Sequence, residues 1–211
     1  MGLAGWYDET VLPRLISLGC GCPAISALRG EVVPLASGRV LEIGCGGGFN
    51  QSWYDRDRVT GFAGIDPNAL LLEKSRQQAR AKGWEAEVRE GRGEAIPFAD
   101  GSFDSVVCTF TLCSVEDQAQ VVREMRRVLR PGGRLIYLEH GRAPDPGPAR
   151  WQRRIEPVWR RLAGNCHLTR EVGGAFLRAG LEVEPLGQAY FKQAPRWAGW
   201  MEWGTARRPG I

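Results

Sequence analysis

The stretch Val40-Leu41-Glu42-Ile43-Gly44-Cys45-Gly46-Gly47-Gly48 decides the fold, because an apolar strand-like run with an acidic residue near its end passes directly into alternating glycines. It marks a strand-to-turn junction where a backbone approaches a ligand. Glycines at 44, 46 and 48 form G-x-G-x-G, whereas the dinucleotide fingerprint G-x-G-x-x-G requires glycine at 49, where this chain has Phe49. That departure argues against a pyrophosphate-bearing cofactor and leaves a nicotinamide-dependent oxidoreductase as a remote reading.

The next apolar run, Thr60 to Ile65, ends in Asp66-Pro67, so a carboxylate sits where a second parallel strand emerges beside the first. A carboxylate there can accept hydrogen bonds from both hydroxyls of a ribose, which makes Asp66 the expected ribose ligand. Gly44 and Gly46 lack the Cβ atoms that would hold a ligand away from the backbone, and glycine admits positive φ. With Glu42 two residues ahead of the first glycine and Asp66 at a βαβ distance, the pattern points to an S-adenosylmethionine (SAM) site. The alternative is a tight strand-to-helix turn in an unrelated α/β protein.

At 211 residues the chain suits one domain, given a domain mode of about 100 to 150 residues and the larger size of α/β folds. A net charge of +4 with a pI of about 8.9 is mild, and outside one segment the basic residues are dispersed, so nucleic acid is not an expected partner. No apolar run reaches the about 18 to 20 residues that span a bilayer, and Met1 to Arg14 lacks the plan of a signal peptide, so the expected location is cytoplasmic. The six cysteines (20, 22, 45, 108, 113 and 166) show no framework spacing and read as reduced thiols. Cys20-Gly21-Cys22 could join Cys113 or Cys166 in a soft-metal or arsenical site, but C-x-C without a second pair is a poor zinc signature, and no metal is expected.

From residue 40 onward strands and helices alternate, which predicts a mostly parallel sheet with helices on both faces. Strands are expected at Arg39 to Ile43, Thr60 to Ile65, Glu85 to Arg89, Ser105 to Phe110 and Arg134 to Glu139. Helices are expected at Ala69 to Lys82, closed by Gly83, and at Glu116 to Leu129, stopped by Pro131-Gly132-Gly133. A helix at Arg170 to Ala179 takes Thr169 as N-cap and Gly180 as C-cap, and Leu181 to Leu186 pairs with Trp200 to Ala206 as a C-terminal antiparallel hairpin. The predicted fold is therefore a seven-stranded Rossmann-like α/β sheet in a single domain, with a helical cap over 1–38 and a lid-like insertion over 141–168. Ligands of such sheets lie beyond the carboxyl ends of the strands, so Gly44 to Gly48, Asp66, Thr109 to Ser114 and Glu139 to Gly141 should share one cleft.

The run from Leu41 to Leu138 resembles the class I SAM-dependent methyltransferases. Leu-Glu-Ile-Gly-Cys-Gly-Gly-Gly, Gly-Ile-Asp-Pro, Gly-Glu-Ala-Ile-Pro-Phe, Asp-Gly-Ser-Phe-Asp-Ser-Val-Val and Leu-Arg-Pro-Gly-Gly-Arg-Leu stand in the family's order. More narrowly, Gly48-Phe-Asn50, Val107 to Val115, Glu139-His140 and Cys166-His-Leu-Thr-Arg170 resemble the methyltransferase-like thiol S-methyltransferases and their bacterial relatives. The resemblance implies SAM as methyl donor, with Glu42, Gly44, Cys45 and Gly46 around its methionine and ribose parts. It implies Asp66, with Pro67 beside it, on the ribose hydroxyls, Thr109 lending its carbonyl to the ammonium group and Asn50 facing the carboxylate. One position departs from the family. Arg92 stands where many members carry the Asp that binds the adenine amino group, so adenine recognition falls to Gly93 and Glu94.

The implied reaction is methyl transfer to a small lipophilic nucleophile, foremost a thiol, with a lipid or quinone acceptor or a non-catalytic SAM-binding module as alternatives. Alignment of the reactants can supply about 7 to 11 kcal/mol of such a barrier. A thiol is already partly thiolate near neutral pH, whereas a phenol or an ammonium group needs a base. His140, after the fifth strand, is the candidate to accept a proton or hold a thiolate, against a plain loop-fixing role. His167 reads as a capping or surface residue, and Cys113 as a small pocket wall. Trp6, Tyr7, Trp151, Trp159, Phe191 and Trp197 are candidate lid or packing residues. In Arg150 to Leu162, Trp151, Ile155, Val158, Trp159 and Leu162 recur at helical spacing while Arg153, Arg154, Arg160 and Arg161 take other faces, and Pro157 is expected to kink or split the segment. It reads either as a lid packed on the domain or as a peripheral membrane contact.

Overall fold

The computed structural model describes residues 21–210 and gathers the apolar runs into one sheet. Its strands are β1 (Gly38–Ile43), β2 (Val59–Asp66), β3 (Glu87–Glu90), β4 (Phe103–Thr109), β5 (Leu129–His140), β6 (Glu182–Tyr190) and β7 (Trp200–Arg207). They lie in the order β3-β2-β1-β4-β5-β7-β6. β1 to β5 are parallel, and β7 runs antiparallel to both β5 and β6, so the predicted sheet and its C-terminal hairpin are present. Among the described residues the α-helices are α1 (Pro23–Val32), α2 (Ala69–Ala81), α3 (Gln118–Val128), α4 (Pro146–Leu162) and α5 (Val172–Arg178).

Period-two alternation divides the strand residues between two apolar layers. Leu41, Ile43, Val106, Cys108, Leu135 and Tyr137 face one layer with Val121, Val122, Met125 and Val128 of α3 and Phe176 of α5. Val40, Val107, Ile136 and Leu138 face the other, with Ile25 and Val32 of α1 and Leu72 and Ala79 of α2. The parallel strands are therefore buried on both sides, as their near-continuous hydrophobicity requires. β6 is a largely exposed edge, where Pro185 is tolerated.

Several boundaries differ from expectation. α3 starts at Gln118 because the Asp117 side chain accepts the Gln120 N–H at 2.9 Å, and β5 begins at Leu129, before the Pro-Gly-Gly run. Leu129 pairs with Phe103, so the predicted helix stop lies within the strand. α5 begins at Val172, and Thr169 does not cap it; the Thr169 N–H instead donates to Glu156 Oε2 at 2.8 Å. Gly180 follows α5 with φ +75°, as a helix-ending glycine should.

α4 begins at Pro146 and continues through Pro157. Its expected apolar face is split. Gln152 is fully buried and Trp159 packs edge-on against Trp197 at 5.4 Å, whereas Trp151 and Val158 are 55% and 58% exposed. Gln152 sets that rotation, because its Oε1 accepts from Ala143 N at 2.9 Å and its Nε2 donates to Gly141 O at 3.0 Å. Among the described residues no helix is long and apolar enough to cross a membrane.

Candidate active site

Ile43 is level with Ile65 of β2 and with Cys108 of β4, so the turn after β1, the end of β2 and the end of β4 emerge side by side. Between β1 and β4 the winding of the sheet reverses, the point at which open α/β sheets form a crevice. A cleft of about 1110 Å³ lies there. Glu42, Gly44, Cys45, Gly46, Asn50, Asp66, Pro67, Gly93, Glu94 and Thr109 all line it.

The glycine turn follows from backbone conformation. Gly44, Gly46 and Gly48 have φ of +67°, +46° and +82°. Gly44 also backs directly onto Thr111, whose Oγ1 would lie 2.2 Å from an added Cβ, while the space above Gly46 is open. Asp66 braces the turn. Its Oδ2 accepts the Gly46 N–H at 2.9 Å and its Oδ1 accepts the Asn68 N–H at 2.8 Å, so each oxygen keeps acceptor capacity in the cleft that Asp66 lines. Burial raises its pKa, and those two N–H groups oppose the rise.

Below the turn runs a buried polar chain. Glu42 accepts from Asn50 Nδ2 at 2.9 Å and from the Tyr54 hydroxyl at 2.8 Å. Asn50 Nδ2 also donates to Thr109 Oγ1 at 3.0 Å, and Asn50 Oδ1 accepts from Arg29 Nε at 2.9 Å. Asn50 thus holds its place at the cleft, but its amide serves this network. Arg29 instead supplies positive charge to the cleft wall, between the rings of Phe49 and Phe110 at 5.6 and 5.3 Å. Burial pushes the Glu42 carboxyl up to about 7, against the opposing hydrogen bonds of Tyr54 and Asn50 and the charge of Arg29.

At the far end, Gly93 is packed so closely on Val121 that an added Cβ would lie 3.0 Å from its Cγ1. Glu94 Oε1 accepts the Glu116 N–H at 2.9 Å, so this carboxylate braces the entry to α3 as well as lining the cleft. Arg92 is also in the wall and donates to Glu116 Oε1 at 3.0 Å.

The expected contributions of β5 fail. None of Glu139, His140 and Gly141 lines the cleft. Glu139 is fully buried and clamps the loop after β4, accepting from Thr111 N at 2.9 Å and Leu112 N at 3.2 Å. His140, the expected base, lies beneath that loop with Nδ1 3.7 Å from Cys166 Sγ, and Cys113 is buried beside them instead of forming a pocket wall. His167 reaches the cleft in their place. Its N–H donates to Cys113 O at 2.7 Å, and Asn165, with φ +62°, donates through Nδ2 to Ser114 O at 3.0 Å. Burial first, and then Arg170 and Arg160, lower the pKa of His167. Trp151, Trp159, Phe191 and Trp197 do not line the cleft, and Trp6 and Tyr7 lie outside the described residues. Among the described residues, the phenyl rings of the wall are those of Phe49 and Phe110.

Residues 41–137 match the profile of the methyltransferase domain family. Over this stretch the chain is similar to that family. Human thiol S-methyltransferase TMT1B is 43% identical over 143 residues, 64% of this chain and 57% of its own length. Human thiol S-methyltransferase TMT1A is 41% identical over 145 residues, 66% of this chain and 58% of its own. The demethylmenaquinone methyltransferase of Deinococcus radiodurans is 36% identical over 138 residues, 65% and 56% of the two chains. The chain thus spans just over half the length of these curated relatives. Among solved structures, the YcgJ protein of Bacillus subtilis superimposes with a TM-score of 0.72 at 18% identity, covering 87% of this chain and 98% of its own. The [4+2]-cyclase SpnF superimposes at 0.67 with 19% identity, covering 89% and 81%. Both show the fold alone, and because a fold does not fix a reaction, the chemistry is argued from the site.

The donor set fits SAM. Asp66 offers carboxylate oxygens at the end of β2, the open face of Gly46 offers a cradle that a Cβ would fill, and Arg29 offers a cation for a carboxylate. The third glycine of the dinucleotide fingerprint is absent, with Phe49 at its position.

Proposed function

We propose that this chain is a SAM-dependent methyltransferase whose acceptor is a small lipophilic thiol. The observation that carries the cofactor reading is Asp66, braced by Gly46 N and Asn68 N on the rim of a cleft that also holds the Arg29 cation. When bound, SAM supplies an electrophilic methyl on a positively charged sulfur.

In this reading Asp66 accepts the ribose hydroxyls, with Pro67 beside it. Arg29 faces the carboxylate, with Asn50 and Glu42 fixing its orientation. The Thr109 carbonyl accepts from the ammonium group, and Gly93 and Glu94 flank the adenine. Gly44, Cys45 and Gly46 let the backbone approach the methionine part. Phe49 and Phe110 exclude water from the reacting end. His167, whose pKa is lowered by burial and by Arg170 and Arg160 against the opposing Glu156 carboxylate 3.6 Å from its Nδ1, can take the proton of an arriving thiol. The thiol acceptor is supported by the 41% and 43% identity to proteins named thiol S-methyltransferases. Transfer of labelled methyl from SAM to an alkyl thiol, run beside a phenol, an amine, a quinol and a lipid extract, tests it. Thiol product well above the rest is expected, and its absence with label in another acceptor refutes it.

One observation favours a second reading. Trp151 and Val158 are exposed on a helix rich in arginine, and a quinone methyltransferase is among the relatives, so a lipophilic acceptor could be gathered at a membrane surface. Failure to float with anionic vesicles at low salt eliminates that reading.

A further inference from the structure

Behind the acceptor side of the cleft, three segments distant in sequence bring thiophilic side chains together. Cys113 lies in the loop after β4, His140 ends β5, and Cys166 lies between α4 and α5. Their ligand atoms all fall within 4.8 Å of one another. Cys113 and His140 are buried, Cys166 is half-buried, and none of the three lines the cleft.

We propose that Cys113, His140 and Cys166 form a binding site for one thiophilic divalent cation of the zinc class. Tetrahedral zinc, with bonds of about 2.3 Å to sulfur and 2.0 to 2.1 Å to imidazole, sets its sulfur and nitrogen ligands about 3.6 Å apart. Cys166 Sγ and His140 Nδ1 are 3.7 Å apart, so the pair accepts the ion with little movement. The same distance serves a thiol-imidazole hydrogen bond in the cation-free protein.

Two soft thiolates with one imidazole suit zinc or monovalent copper and not magnesium or calcium. Charge then selects between them. Two thiolates neutralise a divalent ion, whereas with a monovalent one they leave a net negative charge in a buried site. Binding forms two metal-sulfur bonds and one metal-nitrogen bond, a water from solvent would complete the tetrahedron, and the two thiol protons leave to solvent. No electron moves.

The backbone around the ligands is already braced. His167 N donates to Cys113 O at 2.7 Å, Glu139 holds Thr111 and Leu112, and Arg170 donates to the carbonyls of Leu112, Val115 and Glu116. A bound ion would tie together the segments that carry Ser114, Asn165 and His167 into the cleft. Cys22 is not part of the cluster, and Cys20 lies outside the described residues.

The test uses the whole reduced protein with zinc alone, kept under a phosphine reductant and freed of excess metal by gel filtration. Close to one zinc per chain is expected, and cobalt(II) should give sulfur-to-cobalt charge-transfer absorption. Cys113→Ser, Cys166→Ser and His140→Ala should each weaken zinc binding by more than the about 10- to 100-fold that outer-shell changes cost. Cys22→Ser should bind as the wild type does. A wild-type protein that retains no zinc and shows no charge-transfer band overturns the proposal, even if a variant fails to fold. Undiminished zinc binding by folded Cys166→Ser overturns it equally.

Discussion

Replacing Glu42 by Gln should remove a dependence of stability on pH that the buried network beneath the glycine turn creates. Burial pushes the Glu42 carboxyl from its ordinary 4.5 up to about 7, so between those values the folded protein keeps a proton that the unfolded chain has lost. The sign follows directly. The stabilisation is fully present below 4.5 and is lost as pH rises through about 7. At about 1.4 kcal/mol for each pH unit between the two values, the loss amounts to about 3 kcal/mol. Gln cannot ionise, yet its carbonyl can accept from Asn50 Nδ2 and its amide can donate to the Tyr54 hydroxyl, which accepts as readily as it donates. Urea unfolding of both proteins at intervals from pH 4.5 to 8 gives the comparison. The variant's advantage should grow from near zero to about 3 kcal/mol, with shared titrations cancelling in the difference. Parallel profiles across that range would refute the reasoning.

Three further outcomes are expected. Gly44→Ala combines φ +67° with a Cβ only 2.2 Å from Thr111 Oγ1, whereas Gly46→Ala has open space, so thermal melts should show the larger loss at 44. Both should lose S-adenosylhomocysteine binding in calorimetry. Gln152→Ala leaves Ala143 N and Gly141 O without their buried partner, at about 1 to 3 kcal/mol for each group, and denaturant titration should report that cost. His167→Asn should lower kcat for a thiol most near neutral pH, and the deficit should shrink both in acid, where the imidazole is itself protonated, and in alkali, where the acceptor ionises unaided, with S-adenosylhomocysteine affinity unchanged.

The sheet was legible because its signals are local. Apolar runs ending in Gly44 and Asp66 needed only spacing to be placed at one strand edge, and all ten expected cofactor residues do line the cleft. What escaped depends on contacts between distant segments. Arg29 stands four residues after Ile25 and three before Val32 on the buried face of α1, an anomaly visible as a cation in an apolar stripe. Nothing in its spacing says that it meets Asn50, 21 residues on. His140 and His167 exchanged places relative to expectation. The loop after β4 folds over the end of β5, drawn down by Glu139, and so covers His140 while the connection after α4 carries His167 to the opening. The helix α4 had the right periodicity but the wrong inward face, because one buried Gln152 outweighed Trp151 and Val158 in setting its rotation.

The central claim, that this cleft is a SAM site organised by Asp66, is tested most directly by calorimetric titration of S-adenosylhomocysteine into the wild type and into Asp66→Ala, with folding checked by circular dichroism. Saturable binding by the wild type is predicted, weakened in the variant by about 1.5 to 3 kcal/mol, or about 10- to 150-fold, as expected for losing a hydrogen bond to a charged group. Equal affinity in a folded Asp66→Ala protein, or tighter binding of NADH than of S-adenosylhomocysteine by the wild type, would contradict it.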